Sequence, residues 1–152
     1  EGDNAFGWLK TEAGVHRFAV RVYFEDTDLT GIVYHANYLR FMERGRSDML
    51  RCIGIEQQAV MAAGEGDDAV HDMQMTWHAP ARLDDALVVH SRVVQVRAAA
   101  TVIAQDIWRG PTKLTSGVVT AAWLGANGRP QRQPRDWDAR FKALLAQTAA
   151  NG

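Results

Sequence analysis

Apolar residues stand at every second position over residues 18–24. The apolar positions of this pattern are Phe18, Val20, Val22 and Phe24. A period of two residues is typical of a β-strand with one buried face. The pattern therefore predicts a strand over roughly 17–25, and the glycine-containing segment 1–16 before it is expected to be a loose lead-in.

A helical period follows after a short turn. Residues that suit a buried helix face recur three or four positions apart, at Tyr38, Met42, Gly45, Met49 and Cys52. Gly54 ends the run, so a long helix is predicted over roughly 36–53. Its arginines are interpreted as a solvated face that pairs with Glu43 and Asp48 at helical spacing.

The remainder of the chain is predicted to be almost wholly β. A short helical turn over 55–60 and a flexible loop over 64–68 come first. The strands and the closing helix that follow are expected near 72–77, 87–96, 101–109 and 114–124, and from Pro134 onwards. Consecutive strands joined by short turns pair antiparallel, with the long helix on one face. We therefore predict a single α+β domain over 17–148.

Composition narrows the possible classes of protein. The chain has 152 residues and a formal net charge of −1, without basic runs, which argues against a nucleic-acid partner. No apolar run has the length of a membrane span. The single cysteine, Cys52, excludes an internal disulfide and a zinc site with several thiolates, and it fits a reducing cytoplasm.

The segment between the predicted strand and helix holds the candidate chemistry. Asp26, Asp28 and Gly31 lie there, directly ahead of the helix. The start of a helix offers unpaired backbone N–H groups and a positive dipole end, which can stabilise an oxyanion. A carboxylate beside it can act as a base or a nucleophile towards a carbonyl. Chemistry on an acyl group is therefore one candidate.

The residues alone leave other interpretations of this segment open. Asp26, Asp28 and His35 could form a metal site, although this is the weakest option. The aspartates could equally be turn formers that bind neighbouring backbone N–H groups. Of the two, Asp26 is the one expected to be structural.

Two motifs of the chain resemble those of a known family. One is Glu25-Asp26-Thr27-Asp28 with Gly31-Ile32-Val33-Tyr34-His35, and the other is Ala79-Pro80-Ala81-Arg82-Leu83-Asp84-Asp85. Together they resemble the hotdog-fold acyl-CoA thioesterases of the 4-hydroxybenzoyl-CoA thioesterase type, in the subfamily associated with the Tol-Pal envelope system. The resemblance covers about residues 18–145. It implies a curved antiparallel sheet around one long helix, a dimer joined edge to edge, and an active site at the dimer interface.

The resemblance also assigns roles to individual positions. It implies that Asp28 is the catalytic carboxylate and that the backbone N–H of His35 polarises the thioester carbonyl. Gly31, Tyr34 and Arg97 are implied as substrate-binding positions, Gly31 because the chain turns closely past the substrate and Arg97 because it faces the CoA nucleotide in some relatives.

The sequence departs from the family pattern in two places. Three alanines, 98–100, follow Arg97 where relatives often have Lys, Ser or Thr. Acidic residues and a histidine stand where relatives are apolar, near the family's acyl pocket: Asp67, Asp68, His71 and Asp72. The resemblance therefore does not fix the acyl group.

The resulting expectation is a hydrolase of acyl-CoA or acyl-carrier-protein thioesters. Asp28 would attack the carbonyl or activate water, without a metal or redox cofactor, in a cytoplasmic homodimer or homotetramer. The alternative is a non-catalytic acyl-binding or scaffold protein of lipid or envelope metabolism with the same fold. A hydratase would need an Asp and His pair presented by a different motif, which the sequence lacks.

Overall fold

One antiparallel sheet of six strands forms the framework of the computed structural model, which describes residues 7–10 and 14–151. The strands follow one another in space in the order β1-β2-β4-β5-β6-β3, and every neighbouring pair is antiparallel. They are β1 Gly7–Lys10, β2 Val15–Arg21, β3 Asp67–Trp77, β4 Ala86–Val96, β5 Ala100–Arg109 and β6 Thr112–Leu124. β3 therefore forms one edge of the sheet.

Three helices accompany the sheet: α1 Asn37–Cys52, α2 Gln57–Ala62 and α3 Arg135–Asn151. α1 buries the face that its spacing predicted, including Tyr38, Met42, Gly45 and Met49. A Cβ on Gly45 would lie 3.0 Å from the Val89 side chain in β4, so this glycine lets the helix approach the sheet closely. The predicted long helix and the α+β class are confirmed.

Two hydrophobic clusters fill the space between the helices and the sheet. In the first, Leu50 of α1 packs with residues of the sheet and with Trp137 and Phe141 of α3. In the second, the start of α1 packs with Val33 and with Ala81. The Tyr38 side chain is fully buried, and its hydroxyl accepts a hydrogen bond of 2.9 Å from the Ala81 N–H. These contacts anchor the segment ahead of α1.

The first predicted strand ends earlier than its alternating pattern suggests. The prediction over 17–25 is wrong beyond residue 21, because β2 ends at Arg21 and a single 3-10 turn spans Phe24–Asp26. The Asp26 carboxylate accepts a 2.9 Å hydrogen bond from the Tyr23 N–H and so closes this turn. Phe24 is 81% exposed, so its place in the apolar alternation does not bury it.

Pairing within the sheet also corrects other predictions. The loop expected over 64–68 ends at Asp67, where β3 begins and pairs with Leu124 of β6. Within the expected lead-in 1–16, Gly7–Lys10 form a strand and β2 begins at Val15, whereas residues 1–6 and 11–13 lie outside the described residues. The helical turn expected over 55–60 is α2, two residues later. The bounds of the single domain stay a prediction.

Within residues 7–10 and 14–151, no helix is both long enough and apolar enough to cross a membrane.

Candidate active site

The segment that joins the 3-10 turn to α1 folds back on itself and lies against the connection before β4. The Asp28 N–H donates to the Ile32 carbonyl at 2.9 Å, which closes a small loop. Ile32 forms an isolated bridge with Arg82, and the Val33 N–H donates to the Ala81 carbonyl at 2.9 Å. The two sequence motifs that carry the family resemblance are therefore neighbours in space.

Asp28 is exposed at the turn of this loop. Its Oδ1 accepts hydrogen bonds from the Thr30 N–H at 2.8 Å and from the Thr30 hydroxyl at 2.6 Å. These bonds, the hydroxyl first, hold the pKa of the Asp28 carboxyl below its ordinary value. The backbone N–H of Ile32 also faces this carboxylate and lowers its pKa. Asp28 thus presents an exposed, ionised carboxylate to a substrate.

Gly31 has a backbone conformation that other residues rarely adopt. Its φ is +81°, and its N–H donates to the Asp28 carbonyl at 3.2 Å. A Cβ there would meet no atom of this chain within 4 Å. The glycine is therefore required by the turn itself, because residues with a Cβ pay a cost in the left-handed region.

Asp26 has a different set of partners from Asp28. Its carboxylate binds the Tyr23 N–H, and its carbonyl accepts from the Tyr34 N–H at 3.0 Å and from Asn37 Nδ2 at 2.9 Å. These contacts hold both ends of the loop together. They support the interpretation of Asp26 as a structural residue.

His35 lies in the turn directly before α1, and its side chain is exposed. No described residue accepts a hydrogen bond from its backbone N–H. The first N–H groups of a helix lack partners within the helix, and the 16-residue α1 adds a positive dipole end. The backbone at His35 can therefore stabilise negative charge on a carbonyl oxygen.

Exposed apolar side chains surround these polar groups. The centre of the Tyr34 ring lies 4.5 Å from that of the His35 ring, and the centre of the Trp77 ring of β3 lies 6.3 Å from it. Tyr34 is 50% and Trp77 is 44% exposed, and Leu29 projects fully into solvent. An apolar surface of this kind is typical of a site that a ligand or another chain covers.

Arg97 does not join this group within one chain. It follows the end of β4, whereas the loop at Asp28 lies near the start of β4, so the 11-residue strand separates the two by about 33 Å. Arg97 is exposed, and its guanidinium donates to Gln95 at 3.2 Å. Asp28, Gly31, Tyr34 and His35 are thus brought together, and Arg97 is apart.

Sequence reasoning missed a set of polar residues beside the second half of α1. Arg46 was interpreted as solvated, but it is half-buried and donates to Gln105 Oε1 at 2.9 Å. Asp48 does not pair with an arginine and is instead buried against His16. Burial, and then the neighbouring Asp67, raise the pKa of Asp68 to about 6. In the sequence, only the acidic residues within 67–72, which stand where relatives of the resembled family are apolar, indicate this region.

Three side chains in the interior have the chemistry of metal ligands. The ligand atoms of His16, Asp48 and Cys52 all lie within 4.8 Å of one another. His16 Nε2 and Asp48 Oδ2 are 2.7 Å apart, however, whereas two ligands on one zinc ion are separated by about 3.3 Å. Burial lowers the pKa of His16, which keeps the ring neutral. The geometry is that of a buried hydrogen bond.

Comparisons with known proteins find similarity to thioesterases. A family model described as Thioesterase superfamily matches residues 30–116. The chain is 38% identical over 128 residues to the acyl-CoA thioester hydrolase YbgC of Escherichia coli O6:H1, covering 83% of this chain and 95% of that one. It is 34% identical to the acyl-CoA thioesterase YbgC of Haemophilus influenzae, over 84% of this chain and 94% of that one.

The fold has relatives among solved structures as well. The probable thioesterase from Bartonella henselae has a TM-score of 0.76 and 36% identity, and the match covers 79% of this chain and 99% of that one. The predicted hotdog fold is thereby confirmed. The association with the Tol-Pal system and the cytoplasmic location stay predictions. On the family match and these relatives, the chain is a thioesterase and belongs to the Thioesterase superfamily.

Proposed function

We propose that this thioesterase hydrolyses acyl-CoA or acyl-carrier-protein thioesters, with Asp28 as the catalytic carboxylate and the start of α1 at His35 as the oxyanion site. One observation carries the proposal. An exposed, ionised carboxylate shares a short, anchored segment with the unpaired backbone N–H of His35, directly before the start of α1. The printed names of the YbgC relatives support acyl-CoA as the substrate.

Two routes are open to Asp28. As a nucleophile, a carboxylate oxygen of Asp28 adds to the thioester carbonyl carbon, and the thiolate leaves and takes up a proton. Water then hydrolyses the mixed anhydride and regenerates the carboxylate. As a general base, Asp28 removes a proton from a water that attacks the same carbon. The lowered pKa of Asp28 keeps it ionised for either route.

The carbonyl oxygen becomes negative in both routes. The N–H of His35 and the dipole of α1 supply fixed positive charge at that position, and such donors need no reorganisation during the reaction. Tyr34 and Trp77 supply apolar surface beside the reacting group. Water exclusion by these rings would strengthen the hydrogen bonds to the oxyanion.

The proposal includes a second copy of the chain. β3 is an 11-residue edge strand, with Val70 52% and Trp77 44% exposed. Such an edge offers unpaired backbone groups to another strand. Static light scattering should therefore report at least a dimer at micromolar concentration. A stable monomer would remove both the dimer and a site shared between subunits.

A non-catalytic acyl-binding protein is the second candidate, and one observation favours it. The Thr30 N–H bonds that hold Asp28 are those of a turn-forming aspartate, which needs no chemistry. The two candidates are distinguished by whether turnover falls when the negative charge of Asp28 is removed.

The test compares Asp28→Asn with Asp26→Asn on a panel of acetyl-, medium-chain, long-chain and aromatic acyl-CoA substrates. Turnover by Asp28→Asn should fall by about two to four orders of magnitude. Asp26→Asn is the matched control, because it removes a carboxylate two residues away that only shapes the loop. Circular dichroism melts check the folding of both variants. Full activity in Asp28→Asn would leave the non-catalytic candidate ahead.

A further inference from the structure

A cavity of about 350 Å³ lies beside the second half of α1, away from Asp28. Its floor, the buried part of the lining, is mainly apolar and comes from three parts of the fold: Leu50 of α1, Ile103 and Ala121 of the sheet beside the polar Thr101, and Phe141 of α3. The volume is at the lower end of the range for small-molecule sites. The floor therefore suits a hydrocarbon group of limited size.

The mouth of this cavity is charged. Glu43 and Arg46 of α1 and Asp68 of β3 all line it. The Arg46 guanidinium already donates to Gln105, so the two carboxylates share a cation that is partly engaged elsewhere. A ligand at the mouth therefore meets an excess of negative charge when Asp68 is ionised.

The helix surface connects the cavity to the proposed oxyanion site. Leu39, Glu43 and Arg46 are spaced by four and three residues, which places them along one face of α1, and His35 lies in the turn directly before the helix. β3 forms the facing wall, with Trp77 beside the His35 ring and Asp68 at the cavity. The helical rise puts Glu43 about 9 Å along α1 from Asn37, and His35 lies two residues before Asn37.

We propose that this cavity receives the distal end of a medium-length, unbranched acyl chain, and that Asp68 is a specificity-determining residue at its entrance. The inference rests on the proposed function, since it places the thioester carbonyl at His35. A chain of about ten carbons spans the interval in extended form, whereas an acetyl group ends far short of it.

Asp68 affects the chain through its charge. An ionised carboxylate retains water, and a hydrocarbon chain that enters the cavity must displace that water at a cost. The charged groups that face Asp68 are Asp67 on its own strand, and Arg46 and Glu43 on α1. With a pKa of about 6, Asp68 gains its charge as the pH rises through that value, and entry of the chain becomes less favourable.

The first test measures the ratio of kcat/KM for decanoyl-CoA to that for acetyl-CoA at pH 8. Asp68→Asn should raise the ratio by about tenfold, because the variant removes the charge and keeps the shape. Asp67→Asn is the matched control, since Asp67 is the exposed neighbour outside the cavity lining, and its ratio should stay within about twofold. In the wild type the ratio should fall between pH 5 and pH 8, and in Asp68→Asn it should stay level.

The second test fills the floor of the cavity. Ala121→Leu should lower the same ratio by about tenfold or more while acetyl-CoA turnover persists. Thermal melts check that this variant folds, and if it does not, Asp68→Asn decides alone. An unchanged ratio in Asp68→Asn, with normal acetyl-CoA turnover, would overturn the assignment of the cavity and leave the proposed function intact. A wild type without activity on any thioester would overturn both.

Discussion

The start and the second half of helix α1 carry polar groups in contrasting environments. At the start, Asp28 and His35 are exposed, and the loop is closed by hydrogen bonds between residues close in sequence and anchored against the connection before β4. In the second half, Asp48 is buried against His16, a partner 32 residues away. Local turn chemistry thus shapes the exposed candidate site, whereas the buried polar pair depends on long-range packing alone.

Substitutions in the two regions should therefore have different effects on catalysis and on stability. Polar groups in a site are not optimised for stability, so changes at Asp28 should alter rates more than folding. A buried polar group that loses its partner pays a desolvation cost, so changes at His16 should alter stability more than rates. Four predictions test this difference, from the largest to the smallest expected change in the free energy of unfolding.

The largest loss of stability is expected at the buried pair. His16→Ala leaves the Asp48 carboxylate buried without its 2.7 Å partner and should lower the free energy of unfolding by about 3 kcal/mol or more. Urea denaturation measures it. His78→Ala is the control, because His78 is exposed and binds only the Ser116 hydroxyl. Equal small losses in both would show that the buried pair does not stabilise the fold.

The same pair should make stability depend on pH. Burial lowers the pKa of His16 below its ordinary value of 6.5, so the unfolded chain binds more protons than the folded chain below that pH. The contribution of His16 is therefore complete above about pH 6.5 and is lost as the pH falls through the lower, folded pKa. Urea curves across this range should show the loss, and His16→Ala should lack that component.

Asp68 is expected to act in the opposite direction. Its folded pKa of about 6 lies above its ordinary value of 3.8, so the folded state loses stability as the pH rises through this window. Asp68→Asn should raise the free energy of unfolding at pH 8 by about 1–3 kcal/mol. Its advantage over the wild type should vanish by about pH 4. A variant less stable than the wild type at pH 8 would contradict this account of the cavity.

The smallest change in stability is expected at Gly31. Gly31→Ala forces a Cβ into a φ of +81° and should cost about 1–2 kcal/mol. Gly128→Ala is closely matched, since Gly128 has a φ of +77° and a Cβ there also meets nothing within 4 Å. Turnover should fall by about tenfold or more only in Gly31→Ala, because the displaced turn carries Asp28. Similar turnover in the two variants would show that the turn at Gly31 does not position Asp28 for catalysis.

The same contrast explains what could be predicted from the sequence. The long helix and the loop at Asp28 follow local rules of periodicity and turn formation, and both were predicted. The partner of Asp48 was not, because His16 lies in another element and no local pattern links the two. β3 begins within a segment rich in glycine and acid because pairing with β6 outweighs its composition.

The central claim is that the chemistry resides at the start of α1 and that the cavity only selects the acyl chain. The most direct measurement is kcat/KM of Asp28→Asn with acetyl-CoA and with decanoyl-CoA, beside the wild type. We expect both values to fall by about 100-fold or more and by the same factor, so that their ratio is unchanged. Activity retained on either substrate, or a loss confined to one of them, would contradict it.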